Sequence, residues 1–306
     1  MQGTIFLPSA RSAPESPASG AQTLLARECE VILGRRDGIL AQRSGVEVQG
    51  DAVDVMRLNL HSRIAQRVLW PLAQGPYANE QDLYNLAQRV PWIDWIEPDE
   101  TLRVDTTAQR SPLTSLNFAT LRIKDAVCDQ LREATGARPS VDTRDPHLAI
   151  ALHLTATHAT LYADTSGDSL FKRGWRNARA ARDAAGVNNA ERFGGERVDV
   201  HGDAPLKETL AAQMIAASGW DVASALLDPC CGAGTIAIEA AQMACGMAPG
   251  MQRRFGFERM KPWRPHMAQW QAIKAQAQAA VHAPTASVHA SDVSQRMGTA
   301  WPDWRE

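Results

Sequence analysis

No stretch of about 18 consecutive apolar residues occurs in the 306-residue chain, so nothing in it reads as a membrane-spanning helix. The opening Met1-Gln2-Gly3-Thr4-Ile5-Phe6-Leu7-Pro8 lacks a basic leader and a long apolar core. It makes a poor signal peptide and a fair first strand. Cysteines number five, an odd count, with Cys230 and Cys231 adjacent. That pattern offers neither a disulfide framework nor a CxxC metal site, and a reducing, cytoplasmic setting is the simplest expectation. An excess of positive charge is missing too. Against 32 Lys+Arg stand 34 Asp+Glu, a net charge of −2. Bulk electrostatic capture of nucleic acid is thereby disfavoured, whereas a local basic patch is not.

What is present is an ordinary globular composition, 44% hydrophobic and 22% charged, in a length suited to about two domains. Arginine outnumbers lysine, and arginine is the better bidentate partner for phosphate. No internal repeat is apparent. Residues 9–21 are small, polar and Pro-rich and read as a loop. A short helix is expected over 24–31, and Ile39-Leu40 with Val46-Glu47-Val48 alternate like a hairpin edge. Residues 51–70 carry a broadly helical pattern with a break near Asn59. A short helix over 80–90 ends at Pro91, and 101–106 alternates as a strand. The clearest helix of the first half is 115–135, with Phe118, Leu121, Ile123, Val127 and Leu131 on or near one face. Two strands over 148–154 and 159–163 complete an α+β unit ending near residue 165.

Residues 166–204 change texture: Lys172, Arg173, Arg176, Arg179 and Arg182 cluster around Trp175, followed by Ala-, Asn- and Gly-rich sequence. This reads as a partly mobile linker. From Pro205 onward the order is helix, strand (224–228), helix (234–247), loop (248–265), helix (267–281) and strand (286–291). That alternation belongs to a parallel α/β sheet.

The most informative stretch is Leu226-Leu227-Asp228-Pro229-Cys230-Cys231-Gly232-Ala233-Gly234-Thr235, running into Ile236-Ala237-Ile238-Glu239-Ala240-Ala241. It reads as a strand ending in an acid, a glycine turn, then an apolar helix, the way open α/β sheets build nucleotide-type sites. No lysine follows Gly234, so the turn is not a P-loop. Gly232-Ala233-Gly234-Thr235-Ile236-Ala237 satisfies a dinucleotide fingerprint, but the acid ending the next strand, Asp292, lies too far along the chain for that compact unit. A third ligand, S-adenosylmethionine, carries an ammonium and a sulfonium that benefit from the negative charge of Asp228. Asp292 would accept both of its ribose hydroxyls. Two strand-end acids flanking a glycine turn fit this ligand best. The plain alternative is a turn whose glycines serve packing, with Cys230 and Cys231 as small packing residues and Glu239 facing solvent.

The motif resembles that of the THUMP-containing RNA guanine-N2 methyltransferases, notably the bacterial 23S ribosomal RNA enzymes. The likeness extends through Gly45-Val46-Glu47-Val48-Gln49-Gly50-Asp51, Leu58-Asn59-Leu60-His61-Ser62-Arg63-Ile64-Ala65-Gln66-Arg67 and Phe118-Ala119-Thr120-Leu121-Arg122-Ile123-Lys124-Asp125. It continues in Arg138-Pro139-Ser140-Val141-Asp142, Asp164-Thr165-Ser166-Gly167-Asp168-Ser169-Leu170-Phe171-Lys172-Arg173-Gly174-Trp175-Arg176, Ala204-Pro205-Leu206-Lys207-Glu208-Thr209-Leu210 and Phe255-Gly256-Phe257-Glu258-Arg259. The resemblance implies a ferredoxin-like segment (1–43), a THUMP RNA-binding domain (44–165), a basic linker (166–204) and the first portion of a Rossmann-like methyltransferase domain (205–306). It implies that Asp228, Cys230, Gly232, Gly234, Thr235 and Asp292 hold S-adenosylmethionine, with Lys207 and Glu208 near its methionine end. Arg122, Lys124, Lys172, Arg173 and Arg176 are the expected phosphate contacts. The implied partner is RNA, 23S rRNA or an assembly intermediate of it, with no metal and no membrane.

One family feature is not found. An Asn-Pro-Pro-Tyr-like motif would hold the guanine amino group by acceptor groups, and the sequence contains no Pro-Pro pair. The expectation is therefore a C-terminally truncated enzyme whose chain carries no assigned catalytic residue and does not methylate alone. The rivals are an RNA-binding protein with a non-catalytic methyltransferase remnant and an NAD(P)-dependent oxidoreductase.

Overall fold

A computed structural model describes residues 1–9, 20–174 and 206–293. The N-terminal half is organised on one eight-stranded mixed sheet in the order β2-β3-β1-β4-β8-β7-β5-β6. Its strands are β1 (Gln2–Pro8), β2 (Ile39–Gln42), β3 (Gly45–Asp51), β4 (Leu69–Pro76), β5 (Thr101–Ala108), β6 (Ser140–Val141), β7 (Leu148–Leu154) and β8 (His158–Asp164). Helices α1 (Ala21–Leu33), α2 (Ala52–His61), α3 (Glu80–Gln88) and α4 (Leu116–Thr135) connect them. Strand β1 pairs along its whole length with β3 and meets β4 at Phe6 and Leu69, which joins two smaller sheets into one.

Local chemistry explains the boundaries. Asp51 and Asn79 each close a capping box, opening α2 and α3. Ser115 caps α4, which ends at Gly136 in the left-handed conformation. In β7 the alternate residues Leu148, Ile150, Leu152 and Leu154 are all fully buried, so one face packs on the helices. On α4 the buried stripe is Ala119, Ile123, Val127 and Leu131, while Phe118 and Leu121 lie exposed, away from the core they were expected to join.

The helical pattern over 51–70 resolves into α2 followed by β4, and Asn59 does not break the helix. Its amide donates to the Val55 carbonyl and the Thr165 hydroxyl, and its oxygen accepts from Ser166. A buried polar residue thus stays helical because its hydrogen bonds are made across the core to the end of β8.

The second unit comprises α5 (Glu208–Ser218), β9 (Leu226–Asp228), α6 (Thr235–Ala244), α7 (Met267–Ala279) and β10 (Val288–Ala290), with β9 and β10 paired in parallel. The stretch 248–265, expected as loop, instead holds two 3-10 helices, Gly256–Glu258 and Lys261–His266. Its aromatic residues enter the first unit's core. Trp263 meets Trp70 edge-on at 6.0 Å and Trp95 at 6.1 Å, and Phe257 meets Trp270 edge-on at 5.0 Å. Residues 166–174, expected as the start of a linker, form a packed strap. Arg253 donates to the carbonyls of Ser166, Asp168, Ser169 and Lys172, fastening it.

Candidate cofactor site

Parallel pairing of Leu226, Leu227 and Asp228 with Val288, His289 and Ala290 brings the carboxyl ends of β9 and β10 side by side. The turn after β9 is stitched to the end of β10. Ser291 N–H donates to the Asp228 carbonyl at 2.9 Å, and Cys231 N–H to the Ser291 carbonyl at 3.0 Å. Gly232 N–H then donates to Asp292 Oδ2 at 2.9 Å. Asp228 and Asp292, 64 positions apart in the chain, therefore border one turn.

Gly232 has φ +52° and Gly234 φ +75°, left-handed values that side chains strain. No atom lies within 4 Å of a Cβ built on Gly232, so backbone conformation rather than crowding selects glycine there. Gly234 is the N-cap of α6 and supplies no side-chain cap, which leaves first-turn amides aimed at the turn. Thr235 is buried as the first helical residue, and Cys230 is exposed, its N–H donating to Asp228 Oδ1 at 3.3 Å. The other carboxylate oxygen of Asp228, Oδ2, is shielded from solvent and meets no hydrogen-bond donor among the described residues. Burial, then the negative charges of Asp228 and Asp292, push the Cys231 thiol up. Both carboxylates thus act on the same small volume.

The remaining expected residues divide. Lys207, exposed at the N-cap of α5, places its Nζ 5.2 Å from the ring centre of Phe171, and Glu208 is buried in the first turn. Arg122 is half-buried on α4, held by Gln81 at 2.7 Å and lying 4.5 Å over the Tyr84 ring. Lys124 pairs with Asp125 and Lys172 with Asp168 in half-exposed ion pairs. Arg176 lies outside the described residues. Arg173 is a correction. At 3% exposure it pairs with Glu239 rather than offering itself to a phosphate, because its guanidinium is committed inside the protein.

Sequence reasoning missed that buried junction. Glu239, expected at the surface, is fully buried and accepts from Arg173 Nε at 3.0 Å and Arg63 Nη1 at 3.2 Å. Glu28 on α1 accepts from the Ser62 hydroxyl at 2.6 Å and from Arg63 N–H at 2.7 Å. Burial pushes the Glu28 carboxyl up, opposed by those hydrogen bonds and by the charge of Arg173. The available signal was the lone acid in the otherwise apolar run Ile236-Ala237-Ile238-Glu239-Ala240-Ala241.

Three family models match in order: the RlmL ferredoxin-like domain over 17–69, the THUMP domain over 77–164 and the RMKL-like methyltransferase domain over 195–300. The chain thus carries ferredoxin-like, THUMP and RMKL-like methyltransferase domains. Among similar curated proteins is the ribosomal RNA large subunit methyltransferase K/L of Syntrophotalea carbinolica, 38% identical over 255 residues, which cover 82% of this chain and 32% of that protein. The protein of the same name from Allochromatium vinosum is 38% identical over 234 residues, covering 75% of this chain and 28% of that one. The chain thus spans about a third of the length of the curated relatives it matches. Solved structures share the fold of this chain at low identity. A protein described as a methyltransferase and crystallised with S-adenosylhomocysteine (SAH) aligns with TM-score 0.77 and 22% identity over 98% of this chain and 70% of its own. A Listeria monocytogenes protein described as an N6-adenine-specific DNA methylase aligns with TM-score 0.75 and 23% identity, over the same shares. At such identities the likeness speaks for the fold alone. No helix among the described residues is long and apolar enough to cross a membrane.

Proposed function

We propose that the chain supplies the RNA-gripping and cofactor-binding parts of a methyltransferase that methylates guanine N2 in 23S rRNA. The observation that carries the cofactor reading is the convergence of Asp228 and Asp292 on the Gly232 turn, with Asp228 Oδ2 shielded and unpaired. A buried carboxylate oxygen without a donor is costly unless a cation or donor completes it. The ammonium of S-adenosylmethionine is such a group, and the uncapped amides of α6 suit its carboxylate. Asp292, already holding the turn through Gly232, suits the ribose hydroxyls. Asp228, beside the turn, would repel a pyrophosphate, which argues against a dinucleotide.

Bound S-adenosylmethionine supplies an electrophilic methyl on sulfur. The residues of this chain orient that group and hold its charge; positioning is a main source of rate in such transfers. The guanine assignment rests on the family resemblance, and the choice of 23S rRNA accords with the names of the relatives. Half-buried Arg122 and Lys124 and exposed Lys172 are proposed to contact phosphate, which orients RNA without reading sequence.

Titration calorimetry of the 306-residue chain with SAH tests the cofactor reading. Saturable binding that Asp228→Ala abolishes is the expected result. Nicotinamide dinucleotide binding, or SAH affinity equal in wild type and Asp228→Ala, would overturn it. A chain that binds rRNA but not SAH would favour an RNA-binding protein with a non-catalytic methyltransferase remnant.

A further inference from the structure

The helix that begins at the cofactor turn is poorly anchored by apolar contact. Ala237, Ile238, Ala240 and Ala244 of α6 are buried, yet none belongs to the contiguous hydrophobic core that unites the eight-stranded sheet with Phe255, Phe257, Trp263 and Trp270. Instead α6 packs on α5, β9 and β10, small elements of its own unit.

Charged groups tie it to the rest. Two arginines from different segments converge on Glu239, one turn into α6. Arg63, in the loop after α2, donates to Glu239 Oε2 and also to the carbonyl of Met247, just past the end of the helix. Arg173, at the end of the strap, donates from Nε and Nη2 to both oxygens of Glu239 at 3.0 and 3.3 Å. Its Nη2 also reaches the Arg63 carbonyl at 2.7 Å, so the two arginines are fixed to each other. Glu28 in turn fixes the Arg63 backbone to α1.

Such a fork constrains more than distance. A bidentate pair sets orientation, because the two guanidinium N–H groups and the two carboxylate oxygens must be coplanar. Contact at Glu239 limits rotation of α6 about its axis, and contact at Met247 limits sliding along it. At about 1.5 Å per residue, Glu239 lies only about 6 Å along the axis from Thr235. The orientation set at the fork is therefore handed directly to Gly232, Gly234 and the first-turn amides.

We infer that Glu239, clamped by Arg63 and Arg173, is a positioning residue that holds the cofactor turn in its binding geometry relative to the RNA-gripping unit. It touches no ligand itself. The inference deepens the proposed cofactor reading and rests on it for its effect on affinity. Its effect on the helix stands apart.

The test uses the full chain and two readouts, SAH calorimetry and amide hydrogen exchange. Glu239→Gln keeps the shape of the side chain and removes its charge. It is expected to weaken SAH binding about tenfold, equal to about 1.4 kcal/mol, in the range of remote coupling effects. Exchange should accelerate within 232–244 and stay unchanged in β7 and β8. Arg173→Lys keeps the charge but not the fork, and should fall between wild type and Glu239→Gln in both readouts. If Glu239→Gln does not fold, Arg173→Lys carries the test alone, through locally faster exchange. Unchanged exchange over 232–244 in a folded variant, or acceleration spread evenly over the chain, would overturn the inference. Wild-type protein that fails to bind SAH would sink the cofactor reading and leave the exchange comparison to decide on the clamp.

Discussion

At the scale of single residues, the charged groups inside this chain carry much of its organisation. Asp164, at the end of β8, is 2% exposed and pairs with Arg67. Burial pushes its carboxyl from 3.8 up to about 6, opposed by Arg67, the N–H groups of Ser166 and Gly167, and Arg103. Between those values the folded chain binds a proton that the unfolded chain has released. The contribution of Asp164 to stability is therefore fully present below about pH 4, falls as pH rises to about 6 and is level above, a change of about 2–3 kcal/mol. Urea unfolding of wild type and Asp164→Asn between pH 4 and 7 should show that slope only in the wild type. A slope retained in Asp164→Asn assigns it to another group.

At the scale of elements, the segment from Phe255 to Trp270 matters most. Trp263 is fully buried, donates its indole N–H to the Ala52 carbonyl and touches Trp70, Trp95 and Phe257. Trp263→Ala is expected to cost about 3–5 kcal/mol of unfolding free energy in a denaturant titration. A loss under about 1 kcal/mol would mean that the cluster rearranges to fill the space. This segment also shows what the sequence made legible. The strand at β7 and the glycine turn after β9 were readable, because apolar runs and turn chemistry are local. Phe255, Phe257 and Trp263 sit in an aperiodic stretch with prolines at 262 and 265, where no local pattern announces burial. The same holds for the candidate site. Asp228, Gly232 and Gly234 follow from spacing, and Asp292 from strand order. Glu239, Arg63 and Arg173 meet only in the folded chain, so Arg173 looked like one more exposed arginine.

At the scale of the whole molecule, a net charge of −2 leaves the proposed RNA binding to local features. Asp125 and Asp168, paired to Lys124 and Lys172, would compete with phosphate for those two cations. Affinity for an rRNA fragment should fall with salt, and Arg122→Ala should reduce the log–log slope by about one, uniformly across sequences. Filter binding over a salt series measures this. A slope unchanged by Arg122→Ala would remove that residue from the interface.

The aromatic stitching of residues 255–270 into the first unit bears on any attempt to take the protein apart. Homology places THUMP and methyltransferase regions one after the other, inviting a cut between them. A fragment ending at Gly174 would lose Phe257, Trp263 and Trp270 and bare Trp70 and Trp95 to water. Its complement would carry the opposite half of the same aromatic cluster. Each piece would present an adhesive surface, and any binding measured on either would report that surface along with the protein's own.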